Sequence, residues 1–95
     1  MTEKLQGTEI EKRLKELNGW EWTENEITKR HDFPSFQSAI QFVNRVAELA
    51  EAADHHPDIT IHFRTVTLAL WTHTAGGLTQ KDFDLAKQID TSVQG

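Results

Sequence analysis

The chain has 95 residues, 37% of them hydrophobic and 26% charged, which fits one folded domain spanning 1–95 rather than a disordered segment. Its formal net charge is −5 and it has no run of lysine or arginine, which argues against direct nucleic-acid binding. There is no cysteine, hence no disulfide or thiolate chemistry; no stretch approaches the ~20 apolar residues of a membrane span, and Met1–Gln6 lacks the apolar core of a secretory signal, so the expected location is the cytoplasm.

Thr8 and Glu11 have the spacing of a capping box, and Ile10, Leu14 and Leu17 then recur at helical intervals. Asn18-Gly19 closes this first helix. Trp20 and Trp22 alternate as a short strand, Thr23 to Glu26 make a polar turn, and Ile27 to Phe33 read as a second strand. Pro34 and Ser35 precede the longest helical pattern. Its apolar face is read as Phe36, Ile40, Val43, Val46, Ala47 and Ala50, widened by Phe42, Leu49 and Ala53. A helix so broadly apolar suits two neighbours at once, a sheet and a partner subunit, although a well-buried helix in a monomer has the same pattern.

Pro57 bars helical continuation. Ile59, Ile61 and Phe63 alternate with polar residues, as do Val66, Leu68 and Leu70 after a turn near Arg64-Thr65, so a β-hairpin with one apolar face is expected. Gly76-Gly77 ends it. Thr79 to Asp82 form a second capping arrangement that opens a last helix carrying Phe83, Leu85, Ala86 and Ile89. The order α-β-β-α-β-β-α, with short turns inside each strand pair, predicts an α+β domain: a four-stranded antiparallel sheet with helices on one face.

The candidate chemistry lies in the histidines. His55 and His56 stand before Pro57, and His73 follows the last strand. With a turn centred between Arg64 and Thr65, Phe63 opposes Val66, Ile61 faces Leu68, Ile59 faces Leu70, and His56 comes opposite His73. Carboxylates are close in sequence. Glu51 lies four residues before His55, Asp54 is adjacent to it, and Asp82 occupies the first turn of the last helix, where the helix dipole favours negative charge. Carboxylates beside imidazoles fix their tautomers and favour protonation, which suits proton transfer near neutral pH.

Each residue also has a structural reading: Glu51 as a solvated helix residue, Asp82 as a cap, and the tryptophans as packing groups. His31 and His62 sit on apparent polar strand faces and read as structural or exposed. No H-E-x-x-H or H-x-H pattern supports a metal site, no serine lies in a nucleophile elbow, and Gly76-Gly77 is too short for a phosphate loop.

Glu51, the His55-His56-Pro57 triplet, Phe63, His73 and Asp82 together resemble the signature of the pterin-4a-carbinolamine dehydratase family. Trp71-Thr72-His73-Thr74-Ala75-Gly76-Gly77-Leu78-Thr79 and Asp82-Phe83-Asp84-Leu85-Ala86 look like that family too, as do Gly19-Trp20 and the spacing of Phe33 and Phe36. Two departures are Phe63, where tyrosine is frequent, and the Arg64-Thr65 turn. The resemblance implies a lyase acting on a tetrahydropterin hydroxylated at C4a. His55, His56 and His73 would be catalytic, Glu51 and Asp82 would support them, and Asp54, Pro57, Trp71, Thr72 and Thr74 would help bind substrate. It also implies no metal or organic cofactor, a homodimer or homotetramer, and an alternative role as a non-catalytic protein-binding, dimerisation or assembly cofactor. A zinc hydrolase is a third, weaker reading.

Overall fold

The computed structural model describes residues 3–94. The elements follow as α1 (Gly7–Leu14), β1 (Glu21–Thr23), β2 (Glu26–Asp32), α2 (Phe36–Ala53), β3 (Asp58–His62), β4 (Thr65–Leu70) and α3 (Gln80–Gln94). The four strands form one antiparallel sheet in the order β1-β2-β4-β3. Both the α-β-β-α-β-β-α order and the α+β class agree with the sequence reading.

Strand alternation builds the core. Ile27 on β2 and Val66, Leu68 and Leu70 on β4 are fully buried on one sheet face, while Thr28, Arg30, Thr60 and Thr67 line the other. Against the apolar face pack Ala39, Phe42, Val46 and Ala50 of α2 and Phe83, Leu85, Ala86 and Ile89 of α3. Each fully buried aliphatic side chain contributes about 1.5–3 kcal/mol by leaving water.

The α2 stripe differs from the expected one. Ala39 joins the core, whereas Phe36 is 52% exposed, Ile40, Val43 and Leu49 are half-buried, and Ala47 and Ala53 face outward. The helix is therefore rotated toward the Phe42–Val46 line, because one sheet face cannot cover so wide an apolar surface. Its start is as anticipated: the Ser35 hydroxyl accepts the Ser38 N–H at 3.0 Å.

The first helix begins earlier than the Thr8–Glu11 box suggests. Gln6 is the cap, and its N–H meets the Glu9 carboxylate at 3.5 Å. A bond of 2.8 Å from the Leu5 N–H to the Leu78 carbonyl ties down the chain just ahead of the helix and sets its entry. Gly19 lies at φ +80, a left-handed turn that favours glycine. Trp20 precedes β1 instead of forming it. Its indole N–H donates to Asp90 on α3 at 3.0 Å, and Lys29 pairs with the same carboxylate at 2.9 Å.

The hairpin register is a correction. Ile61 pairs with Val66, Ile59 with Leu68 and Asp58 with Ala69, so the expected pairs Phe63–Val66, Ile61–Leu68 and Ile59–Leu70 do not form. The turn is Phe63-Arg64, with Phe63 at φ +53. Tertiary contacts place it there. Thr65 is in register with Asp32 and donates its hydroxyl to that carboxylate at 2.8 Å, and the Arg64 carbonyl accepts the Phe33 N–H at 3.0 Å. The chain must therefore reverse before Thr65. A slide of two residues keeps every side chain on its expected face. Continuing the same count brings His56 level with Trp71, not with His73.

His31 is also corrected. It lies on the core face, 8% exposed, with its ring 4.6 Å from that of Phe42 and 6.3 Å from that of Phe33. Neither ring nitrogen has a hydrogen-bond partner among the described residues. Burial, helped by the Lys29 charge, pushes its pKa down from 6.5 to about 4. His62 is exposed on β3, as expected.

Candidate active site

The site forms where α2 ends, β4 ends and α3 begins. Asp54 caps α2 in the left-handed region (φ 51), and the His55 N–H reaches back to the Ala50 carbonyl at 3.1 Å. This reversal sends the two adjacent imidazoles in different directions. His55 turns inward, its side chain 11% exposed, and its Nε2 lies 2.6 Å from Oδ1 of the fully buried Asp82. His56 turns outward, and its Nε2 meets Glu51 Oε2 at 2.5 Å. The expected Glu51–His55 alignment fails because the helix stops at Ala53, so Glu51 serves His56 instead.

Asp82 is held by more than His55. Its Oδ2 accepts the Thr72 hydroxyl and the Thr79 N–H, both at 2.9 Å. Since the single Thr72 hydroxyl proton goes to Asp82, the 2.7 Å contact between Thr72 and Thr79 is donated by Thr79. A buried carboxylate with these donors is satisfied without leaving its site. Asp82 is thus a helix cap and an imidazole partner together. Accepting at His55 Nε2, it selects the tautomer that leaves Nδ1 free to take a proton.

The Thr72–Gly77 segment closes on itself. The Thr72 N–H donates to the Gly77 carbonyl at 2.9 Å and the Gly76 N–H to the Thr72 carbonyl at 3.0 Å, with Gly76 at φ +73. This loop presents His73, whose ring stacks on Trp71 with centroids 3.8 Å apart and planes at 30°.

A cavity of about 340 Å³ is lined by Asp54, His55, His56, Trp71, Thr72, His73, Thr74 and Lys81. That volume falls within the roughly 300–1,000 Å³ of small-molecule sites. All three histidines singled out in the sequence meet here despite the shifted register. Glu51 and Asp82 stand behind His56 and His55, and the half-buried Pro57 follows the two imidazoles outside the lining. Lys81 was missed by sequence reasoning. Its signal was its place in the first turn of α3, next to Asp82. Among the described residues, no group of three or more histidine or acidic side chains is placed to hold a metal ion. Nor is any helix among them long and apolar enough to cross a membrane.

A family model described as pterin 4 alpha carbinolamine dehydratase matches residues 3–92. The chain belongs to the pterin-4a-carbinolamine dehydratase family. A relative from Roseiflexus sp. (strain RS-1) is 63% identical over 90 residues, covering 95% of this chain and 97% of its own length. Another from Picosynechococcus sp. is 52% identical, covering 95% and 98%. Both carry the family's dehydratase name provisionally. A solved Brucella melitensis protein described as a transcriptional coactivator/pterin dehydratase superposes with a TM-score of 0.90 at 30% identity, over 97% of this chain and 99% of that one. A pterin dehydratase-like RuBisCO assembly factor of the α-carboxysome shares the fold at a TM-score of 0.66 and 23% identity, over 78% and 88%.

Proposed function

We propose that this member of the family dehydrates 4a-hydroxytetrahydrobiopterin, the pterin-4a-carbinolamine, to quinonoid dihydropterin by histidine acid/base catalysis, as a step in tetrahydrobiopterin recycling. The observation that carries the reading is a single cavity lined by three imidazoles, two of them with a carboxylate on Nε2. The reaction needs two proton movements. The C4a hydroxyl takes a proton and leaves as water with the C–O electron pair, while N5 gives up its proton and its electrons form the C4a=N5 bond. Protons are conserved overall, so an acid and a base of similar strength suffice.

His56 and His73 divide these roles, and His55, fixed by Asp82, positions the heterocycle. Trp71 and the Thr72–Thr74 segment supply a flat wall and polar contacts, and Asp54 lines the same cavity. Positioned acid–base groups contribute typically ~10²–10⁴-fold. Neither step calls for a metal or an organic cofactor. The test is to mix the protein with freshly generated 4a-hydroxytetrahydropterin and follow its ultraviolet decay. His56→Ala and His73→Ala should each slow that decay at least ~100-fold relative to the wild type, whereas His62→Ala should not. A wild-type rate equal to that of buffer sinks the reading.

A second reading has its own support. Phe36, Ile59, Ile61 and Phe63 are large apolar side chains 37–65% exposed, and among the described residues no strand pairs with the outer edge of β3. These surfaces suit self-association into a dimer or tetramer, which is compatible with catalysis. They would equally serve a non-catalytic protein-binding or assembly role of the kind named for the RuBisCO assembly factor. Recovery of a stoichiometric partner together with absent dehydratase activity would reverse the ranking. Light scattering reads the oligomeric state directly.

A further inference from the structure

We propose that the cavity beside the β1–β2 turn receives the substituent at C6 of the pterin and selects neutral, hydroxylated side chains over those ending in carboxylates. This inference rests on the reading above, because it needs the heterocycle in the histidine cavity. The second cavity, of about 440 Å³, is lined by Thr23, Glu24, Asn25, Glu26 and Trp71. Trp71 lines the histidine cavity as well, so the two spaces share a wall. The sheet produces this arrangement. Ile27 pairs with Leu70, which brings Glu26 level with Trp71 just past the end of the β2–β4 ladder.

The connectivity of the substrate gives the direction. C6 is bonded to N5, and N5 to C4a, so whichever group handles the N5 proton stands beside the first atom of the side chain. His73 is stacked on Trp71. With His73 at the N5 edge, the substituent leaves the heterocycle along the indole and enters the second cavity. There the Thr23 hydroxyl and Asn25 amide can exchange hydrogen bonds with side-chain hydroxyls, and the two carboxylates can accept from them. Among the described residues no lysine or arginine lines this space. Two carboxylates at roughly 7 Å in a solvated site weaken binding about two-fold for one added negative charge and about five-fold for two at physiological salt.

The test titrates the full chain calorimetrically with three stable 7,8-dihydropterins, whose C6 groups are methyl, dihydroxypropyl and a chain ending in two carboxylates. The dihydroxypropyl ligand should bind at least ~5-fold more tightly than the carboxylate ligand, with the methyl compound as reference. Glu24→Gln combined with Glu26→Gln should close that gap, and Glu26→Lys should favour the carboxylate ligand. In 1 M salt, where the screening length falls to about 3 Å, the wild-type gap should also shrink. Equal affinities in the wild type, or a gap indifferent to charge and salt, overturn the proposal. The carbinolamine decay assay separates the two ideas. Acceleration without side-chain discrimination defeats only the subsite, and discrimination without acceleration defeats only the enzymatic reading. Failure to bind all three ligands defeats both.

Discussion

Replacing His31 with phenylalanine should flatten the acid limb of the protein's stability curve. Buried between Phe33 and Phe42 with no polar partner among the described residues, this imidazole has its pKa pushed from 6.5 to about 4, chiefly by burial, with Lys29 adding to the effect and Asp90 and Asp32 opposing it. Above pH 6.5 both the folded and the unfolded chains carry it neutral, so it makes stability no function of pH. Between 6.5 and 4 the unfolded chain binds a proton that the folded chain refuses, and stability falls by about 1.4 kcal/mol per pH unit. Below 4 both states are protonated and the loss levels off near about 3 kcal/mol. Urea unfolding of wild type and His31→Phe at pH 7.5, 5.5 and 4.5 measures the difference. Going from pH 7.5 to 4.5, the wild type should lose about 2.5 kcal/mol more than the variant. At pH 7.5 the variant has no buried orphan nitrogens, a gain that overpacking by the larger ring offsets in part. Parallel curves would show that His31 keeps a solvating partner when folded, and the burial argument would fall.

Three further outcomes follow from the site and the hairpin. Thr72→Val keeps the shape but removes a donor from buried Asp82, so it should lower stability by about 1–3 kcal/mol in urea unfolding. An unchanged midpoint would mean that Asp82 does not need that bond. Glu51→Gln breaks an exposed pair, 77% and 56% exposed on its two sides, and should shift stability by less than about 1 kcal/mol. It should nonetheless slow dehydration, because His56 loses the carboxylate that orients its ring; an unchanged rate removes Glu51 from the proposed mechanism. Phe63→Asn places a residue tolerant of left-handed backbone where Phe63 sits 65% exposed at φ +53, and should raise Tm by a few degrees. A fall in Tm would show that the ring packs more usefully than its exposure implies.

The element order was legible because it depends on short-range signals: the Ser35 cap, the alternation of Ile59 and Ile61, Val66 to Leu70, and the Thr79–Asp82 box. The meeting of His55, His56 and His73 was legible for a coarser reason. An antiparallel hairpin brings the residues flanking it together whichever nearby turn is chosen, so a two-residue error in register left the cavity intact. The register itself was not readable, because Thr65–Asp32 and Arg64–Phe33 join residues distant in sequence and outweigh the left-handed strain at Phe63. His31 was hidden for a similar reason. Strand alternation puts it in phase with Ile27, but a polar residue type there looks like an outward face until Phe42 is known to cover it.

The pairing of carboxylates with imidazoles turns on one backbone residue. Had α2 continued to His55, Glu51 would lie one turn below it and Asp82 would have lost a partner. The left-handed Asp54 ends the helix first, so that His55 points into the core and His56 swings back over the last turn toward Glu51. The two histidines are adjacent in sequence, yet one is largely buried against Asp82 and the other exposed and paired with Glu51. A reaction that must position a heterocycle and also carry protons between it and solvent has use for both kinds, and this chain makes them from neighbouring residues by a single change of backbone region.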